Sequence, residues 1–221
     1  MRNPNLGVLL CALILLNFQG LAVSEEKSPA ATSAVDLPIG AAAPEFKCLD
    51  ERGEPWKSTD HVGKKYIVIY FYPADFTTGC TRQAESFRDT MNRLADQDVA
   101  VIGVSGDAVR NHKLFKDAWK LNYPLLADEA GEVAAQFGVP VTAGGAVLPR
   151  GPDGKPLTDE NGQRFRLERK STFARWTFVI GKDGNVLYKN TKVNPADDAK
   201  QVSEFIDKLS KPSTLGPGND S

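Results

Sequence analysis

Seven consecutive residues, Tyr66-Ile67-Val68-Ile69-Tyr70-Phe71-Tyr72, are all β-branched or aromatic, and Pro73 ends the run. That is the pattern of a strand covered on both faces, as in the interior of an α/β sheet. A second buried strand, Val99-Ala100-Val101-Ile102-Gly103-Val104, follows it. Between the two, Ala84, Phe87, Met91 and Leu94 recur at helical spacing, with Arg82, Glu85, Arg88 and Asp89 available for a wetter face. This helix is expected to start at or just before Cys80. The alternation continues: Asp107 is expected to cap a helix carrying Phe115, Ala118 and Trp119, Tyr123 to Leu126 to form a short strand, and Asp128 to cap a helix from Val133 to Phe137, closed by Gly138. Strand and helix alternate in this way in α/β domains.

Trp176-Thr177-Phe178-Val179-Ile180 and Val186-Leu187-Tyr188 flank Asp183-Gly184, which predicts a β-hairpin. A last helix is expected from Pro195 to Leu209, with Ala196, Val202, Phe205, Ile206 and Leu209 as its apolar stripe. Ahead of the first strong strand, Phe46 and Cys48 alternate with Lys47 before the turn residues 50–53, so a short hairpin should precede Ser58. From Val139 to Lys170 the periodicity fails, and Gly144, Gly145, Pro149, Gly151, Pro152, Gly154, Pro156 and Gly162 predict a long surface excursion. The domain therefore spans residues 43–210 with an insertion at 139–170, after a flexible lead-in at 25–42 and before a disordered tail at 211–221.

With 221 residues, 41% hydrophobic and 25% charged, the chain can build one sizeable core. Its 27 Lys and Arg nearly balance 28 Asp and Glu, with no block of one sign, so neither nucleic acid nor an anionic membrane surface is expected as a partner. Arg2, an apolar run from Gly7 to Phe18 and small residues near Ala22 and Ser24 read as a signal peptide at 1–24, and the protein as exported, periplasmic or secreted. Left uncleaved, the same segment would act as a membrane anchor. Cys11 lies inside the apolar run and would be discarded with it. Cys48 and Cys80 then remain, too few for a disulfide scaffold.

Chemistry concentrates in Tyr70-Phe71-Tyr72-Pro73-Ala74-Asp75-Phe76-Thr77-Thr78-Gly79-Cys80, where a buried strand runs through a loop into a helix headed by a cysteine. Free N–H groups and the positive dipole end of a helix stabilise a thiolate, and such sites lower a cysteine pKa from its ordinary value of about 8.5. Thr77 can aim a hydroxyl at the same point, and Gly79 lets backbone approach a small ligand. By itself Cys80 would read first as a small buried hydrophobe.

The spacing Pro73, Thr77, Cys80 resembles the active-site pattern of the peroxiredoxins. Tyr-Phe-Tyr-Pro, Gly-Cys-Thr and Ser86-Phe87-Arg88-Asp89 are most similar to the Q-type, or bacterioferritin-comigratory, group. Ala43 to Phe46, Val104-Ser105, His112 with Phe115, Tyr123 to Asp128 and Phe137 to Val139 fall in that group's order, so most of residues 43–209 is covered. The resemblance implies a thioredoxin-like fold, a central mixed sheet with helices on both faces. It implies that Cys80 attacks a peroxide and becomes a sulfenic acid, that Arg175 lies beside it, and that Gln83 supports the arginine.

In many Q-type members a resolving cysteine lies five residues after the peroxidatic one, but here that position is Glu85. Recycling then calls for an external thiol, another subunit or Cys48. Cys48, alternating with Phe46, reads first as a buried structural thiol; a resolving role and a Cys48–Cys80 disulfide are the other readings. His61 and His112 have no partner at metal-ligand spacing and no nucleotide signature is present, so neither metal nor cofactor is expected. The expected partners are a peroxide and a thiol reductant, for a monomer or homodimer. Two rival readings are a thioredoxin-like disulfide oxidoreductase, which would want a second cysteine where Thr77 stands, and a non-catalytic binding module using the 139–170 insertion.

Overall fold

The computed structural model describes residues 35–210. The expected signal peptide, Cys11, residues 25–34 of the lead-in and the tail at 211–221 lie outside that range. A short hairpin comes first, β1 (Lys47–Leu49) and β2 (Pro55–Lys57), paired antiparallel with Cys48 opposite Trp56. Then β3 (Tyr66–Phe71), α1 (Thr78–Ala95), β4 (Val99–Ser105), α2 (Val109–Trp119), β5 (Leu125–Ala127) and α3 (Glu132–Gln136) alternate. After β6 (Val141–Val147) and β7 (Leu167–Phe173) come β8 (Trp176–Ile180), β9 (Val186–Asn190) and α4 (Asp198–Ser210).

The central sheet has the order β5-β4-β3-β8-β9, with β3, β4 and β5 parallel and β8 and β9 antiparallel to their neighbours. The all-apolar β3 sits in the middle because both of its faces are covered. Val68, Tyr70 and Tyr72 join Phe87 and Leu94 of α1, Phe115 of α2 and Val202 and Ile206 of α4. Ile67, Ile69 and Phe71 join Phe46, Val133 and Ala134 of α3, Phe137, Phe173 and Phe178 on the other side. At about 25 cal/mol per Å² of apolar surface removed from water, these two layers supply the main drive to fold. Among the described residues no helix is long and apolar enough to cross a membrane.

Five expectations change. The stretch from Val139 is no irregular excursion: β6 and β7 pair from Val141–Phe173 to Val147–Leu167, forming a two-stranded arm whose irregular part is the turn-rich tip. Period-two alternation is missing because β6 is half-exposed along its length. The lead-in becomes ordered before Pro44, because Leu37 enters the core and the Gly40 N–H donates to Val186 O at 2.8 Å. Val35 crosses Gly138 so closely that a Cβ there would lie 1.8 Å from its carbonyl oxygen, and Gly138 has φ +72°, so this position demands glycine twice over. Asp107 does not cap α2, whose N-cap is Ala108; its carboxylate is turned inward instead. In α4, Ala196 precedes the helix and Leu209 is exposed, while Asp198, Ala199 and Ser203 are buried with Val202 and Ile206. The N-cap of α3 is Gly131, and Asp128 serves the helix from outside that position: its Oδ2 accepts the Ala134 N–H at 2.9 Å.

Candidate active site

The antiparallel register of β3 and β8 runs from Ile67–Ile180 to Phe71–Trp176. It sets Arg175, one residue before β8, at the edge where β3 ends and the loop toward Cys80 departs. The helix α1 begins at Thr78, with Thr77 as its N-cap, so Cys80 stands in the first turn. The N–H groups of Thr78, Gly79 and Cys80 have no carbonyl within the helix, and the Thr81 N–H is the first to find one, Thr77 O, at 2.8 Å. Positive potential from that helix end meets a second source. Arg175 donates from Nη2 to Cys80 Sγ at 3.2 Å, which sets a guanidinium directly against the sulfur. Cys80 is only 1% exposed, so the sulfur lies beneath the guanidinium and not on the open surface.

Arg175 is held in turn by a relay. Its Nη1 donates to Gln83 Oε1, Gln83 Nε2 donates to Asp198 Oδ2 at 2.7 Å, and Thr177 Oγ1 donates to the same oxygen at 2.8 Å. Burial pushes the Asp198 carboxyl up, against the hydrogen bonds from Thr177 and Gln83 and the charge of Arg175. Its Oδ1 is buried with no hydrogen-bond partner among the described residues. The sequence reading found Arg175 and Gln83 but missed Asp198, which looks in sequence like an ordinary first-turn acid of a surface helix.

Thr77 donates its hydroxyl proton to Ala74 O at 3.1 Å and, although it is the N-cap residue, its side chain accepts no helix N–H, which leaves its lone pairs free to accept. Pro73 is half-buried where the loop leaves β3. Gly79 adjoins the guanidinium, yet a Cβ there would meet Arg175 Nη2 at 3.5 Å and Pro195 at 3.6 Å, so the backbone itself does not require glycine. Phe76, between Asp75 and Thr77, holds φ +58°, a left-handed conformation that a bulky residue rarely adopts. Nothing in its sequence pattern announces this.

Cys48 packs with the Ile67, Ile69 and Phe71 side of the sheet, whereas Cys80 packs with the Val68, Tyr70 and Tyr72 side. Both are free thiols. The intervening sheet keeps them apart, and a bond between them demands its disruption. Burial, with help from Asp128, pushes the Cys48 thiol up to about 12. His61 stacks on Trp56 with ring centroids 4.6 Å apart, and His112 is fully buried against Asp75.

A mixed sheet that delivers a cysteine into the first turn of a helix, under an arginine from the neighbouring strand, defines a thioredoxin-fold protein built for sulfur chemistry. The AhpC/TSA family model matches residues 39–189. The chain is 44% identical over 168 residues to the chloroplastic peroxiredoxin Q of Arabidopsis thaliana, covering 76% of this chain and 66% of the relative. It is 31% identical over 175 residues to the peroxiredoxin Bcp of Bacillus subtilis strain 168, covering 79% of this chain and 98% of that one. The crystal structure of peroxidoxin BcpB from Mycobacterium tuberculosis superposes with a TM-score of 0.63 at 29% identity, covering 79% of this chain and 99% of that one. The chain belongs to the AhpC/TSA family, and its relatives are peroxiredoxins of the Q and Bcp type. It spans just under two thirds of the length of the Arabidopsis protein, at 66%.

Proposed function

We propose that the chain is a thiol-dependent peroxidase acting on hydrogen peroxide or an organic hydroperoxide, with Cys80 as nucleophile. The observation that carries this is the 3.2 Å contact of Arg175 Nη2 with Cys80 Sγ in the first turn of α1. The Cys80 thiolate attacks the terminal oxygen of ROOH; an S–O bond forms as the O–O bond breaks, sulfur is oxidised to the sulfenic acid, and RO⁻ leaves and takes a proton from solvent. Arg175 stabilises charge as it moves from sulfur to the departing oxygen. Thr77, its own proton committed to Ala74, accepts a hydrogen bond from the peroxide and orients it. Gln83 fixes the guanidinium.

One external thiol then condenses with the sulfenic acid, releasing water and leaving a mixed disulfide, and a second thiol displaces Cys80 as the free thiol. A thioredoxin-like protein or a small thiol fits this role, because Cys48 lies across the sheet. The signal read in residues 1–24 supports an exported enzyme, which fractionation of the expressed chain tests. A disulfide oxidoreductase is disfavoured by Thr77, which stands where a second active-site sulfur would be.

The deciding experiment is intact-mass analysis of the reduced protein after one equivalent of peroxide, with dimedone trapping. One added oxygen in the untrapped sample, replaced by a dimedone adduct when the reagent is present, mapped to Cys80 and absent in Cys80→Ser, is expected. Disulfide reductase activity with no peroxide consumption would overturn the reading.

A further inference from the structure

The loop joining β3 to α1, Tyr72 to Thr77, is fastened from below by charged groups, although the layer around it is apolar. Asp75 is fully buried. Its Oδ1 accepts the Tyr72 hydroxyl at 2.8 Å, and its Oδ2 meets His112 Nδ1 at 2.9 Å. His112, also fully buried, faces Leu126 O with Nε2 at 3.1 Å. A carbonyl oxygen only accepts, so Nε2 carries a hydrogen, and Nδ1 and the carboxylate share the remaining proton.

A second carboxylate grips the main chain. Asp107 Oδ2 accepts the Asp75 N–H at 3.0 Å and the Ser105 hydroxyl at 2.8 Å, and its Oδ1 accepts from Asn111 Nδ2 at 3.2 Å. The loop is thereby tied to the ends of β4 and β5 and to the first turn of α2.

Such a cluster is a poor way to gain stability, since well-packed apolar residues of similar volume hold a core as well or better. What directional bonds add is a fixed geometry. The geometry here needs fixing: Phe76, the next residue, holds φ +58°, and a strained backbone persists only where its surroundings over-determine it. Thr77 and then Cys80 follow immediately.

We propose that Asp75 and His112 are positioning residues of the peroxidase reaction: their buried pair, braced by Tyr72 and Asp107, holds the strained Phe76 turn, and with it the first turn of α1, in the conformation that aligns Thr77, Cys80 and Arg175. The proposal rests on the peroxidase reading above. When the pair is broken, Phe76 relaxes toward negative φ, the first turn of α1 loosens, and Sγ separates from Arg175. Reaction with peroxide needs that alignment; alkylation by a small neutral reagent needs an accessible thiolate but no alignment with Thr77 or Arg175.

The test compares His112→Gln and Asp75→Asn with the wild-type protein. Second-order rate constants of Cys80 with hydrogen peroxide and with iodoacetamide are measured across a pH series and compared at the plateau where the thiol is fully ionised, the modified residue being assigned by peptide mapping. The expected result is a peroxide constant at least tenfold lower with an alkylation constant unchanged or higher. Both constants falling by one factor, or neither changing, would overturn the proposal. If these variants do not fold, Tyr72→Phe, which removes a single hydroxyl, carries the test: the ratio of peroxide to alkylation constants should fall at least twofold, and an unchanged ratio overturns it. A wild-type protein that consumes no peroxide sinks the underlying peroxidase reading, an outcome visible before any variant is made.

Discussion

A guanidinium donates from several nitrogens in a fixed plane, and Arg175 uses two of them at once, one toward Cys80 Sγ and one toward Gln83. A charge-assisted hydrogen bond contributes about 1.5–3 kcal/mol. Arg175→Ala should therefore lower the peroxide rate constant about 10- to 100-fold in stopped-flow measurements. Arg175→Lys should recover little of it, because a point charge cannot span both partners. Gln83→Ala removes one link behind the arginine, and a loss of about fivefold is expected, in keeping with about 1 kcal/mol for one hydrogen bond. Arg175 without effect on either peroxide or alkylation rates would remove it from the site. Cys80 and Thr77 were legible in the sequence through their short spacing from Pro73, and Arg175 only through the resemblance to the peroxiredoxins. Asp198 and Asp75 were not, because a buried acid and an exposed one look alike until the chain is folded around them.

Elements differ in how well their ends announce themselves. The helix α3 is short, and its first N–H groups depend on Asp128, whose Oδ2 accepts from Ala134. Burial pushes this carboxyl up, against hydrogen bonds from the Ala134, Val133 and Glu132 N–H groups. Asp128→Ala should cost about 1 kcal/mol in urea unfolding, the usual effect of losing a helix-capping acceptor. The mean effect on peroxide rate should be small, since α3 lies across the sheet from Cys80. Strands β3, β4, β8 and β9 were readable from runs of apolar residues and one Asp-Gly turn. The arm of β6 and β7 was not, because its two strands pack mainly on each other and carry no regular alternation of apolar and polar residues.

Across the whole molecule the sheet acts as a partition. With Cys48 on one side and Cys80 on the other, peroxide treatment without thiol should yield no Cys48–Cys80 disulfide by mass spectrometry, and Cys48→Ser should leave turnover with an external thiol unchanged. The buried charges give a pH signature. Burial opposes charge on His112, but Asp75, with Asp107 and the Leu126 carbonyl assisting, outweighs it and raises the histidine's pKa. A raised histidine pKa contributes stability that is complete below its unfolded value of about 6.5 and is lost as pH rises through the folded value. The groups facing the ring are Asp75 and Tyr72 from the loop and Asp107 beyond β4. The stability difference between wild type and His112→Gln in urea should therefore be larger near pH 6 than near pH 10 (about 6.5 being the ordinary histidine value); a difference that stays constant or grows with pH would exclude a charged His112. By itself the sequence determined the layers, the strand-to-helix delivery of Cys80 and the place of Thr77 three residues before it, because periodicity and short-range spacing are local properties. Only the tertiary structure decided that the two thiols are separated, that Asp198 stands behind Gln83, and that Asp75 and His112 meet beneath the loop. Those are contacts between residues far apart in the chain, and their energies depend on burial, which no local pattern of residues specifies.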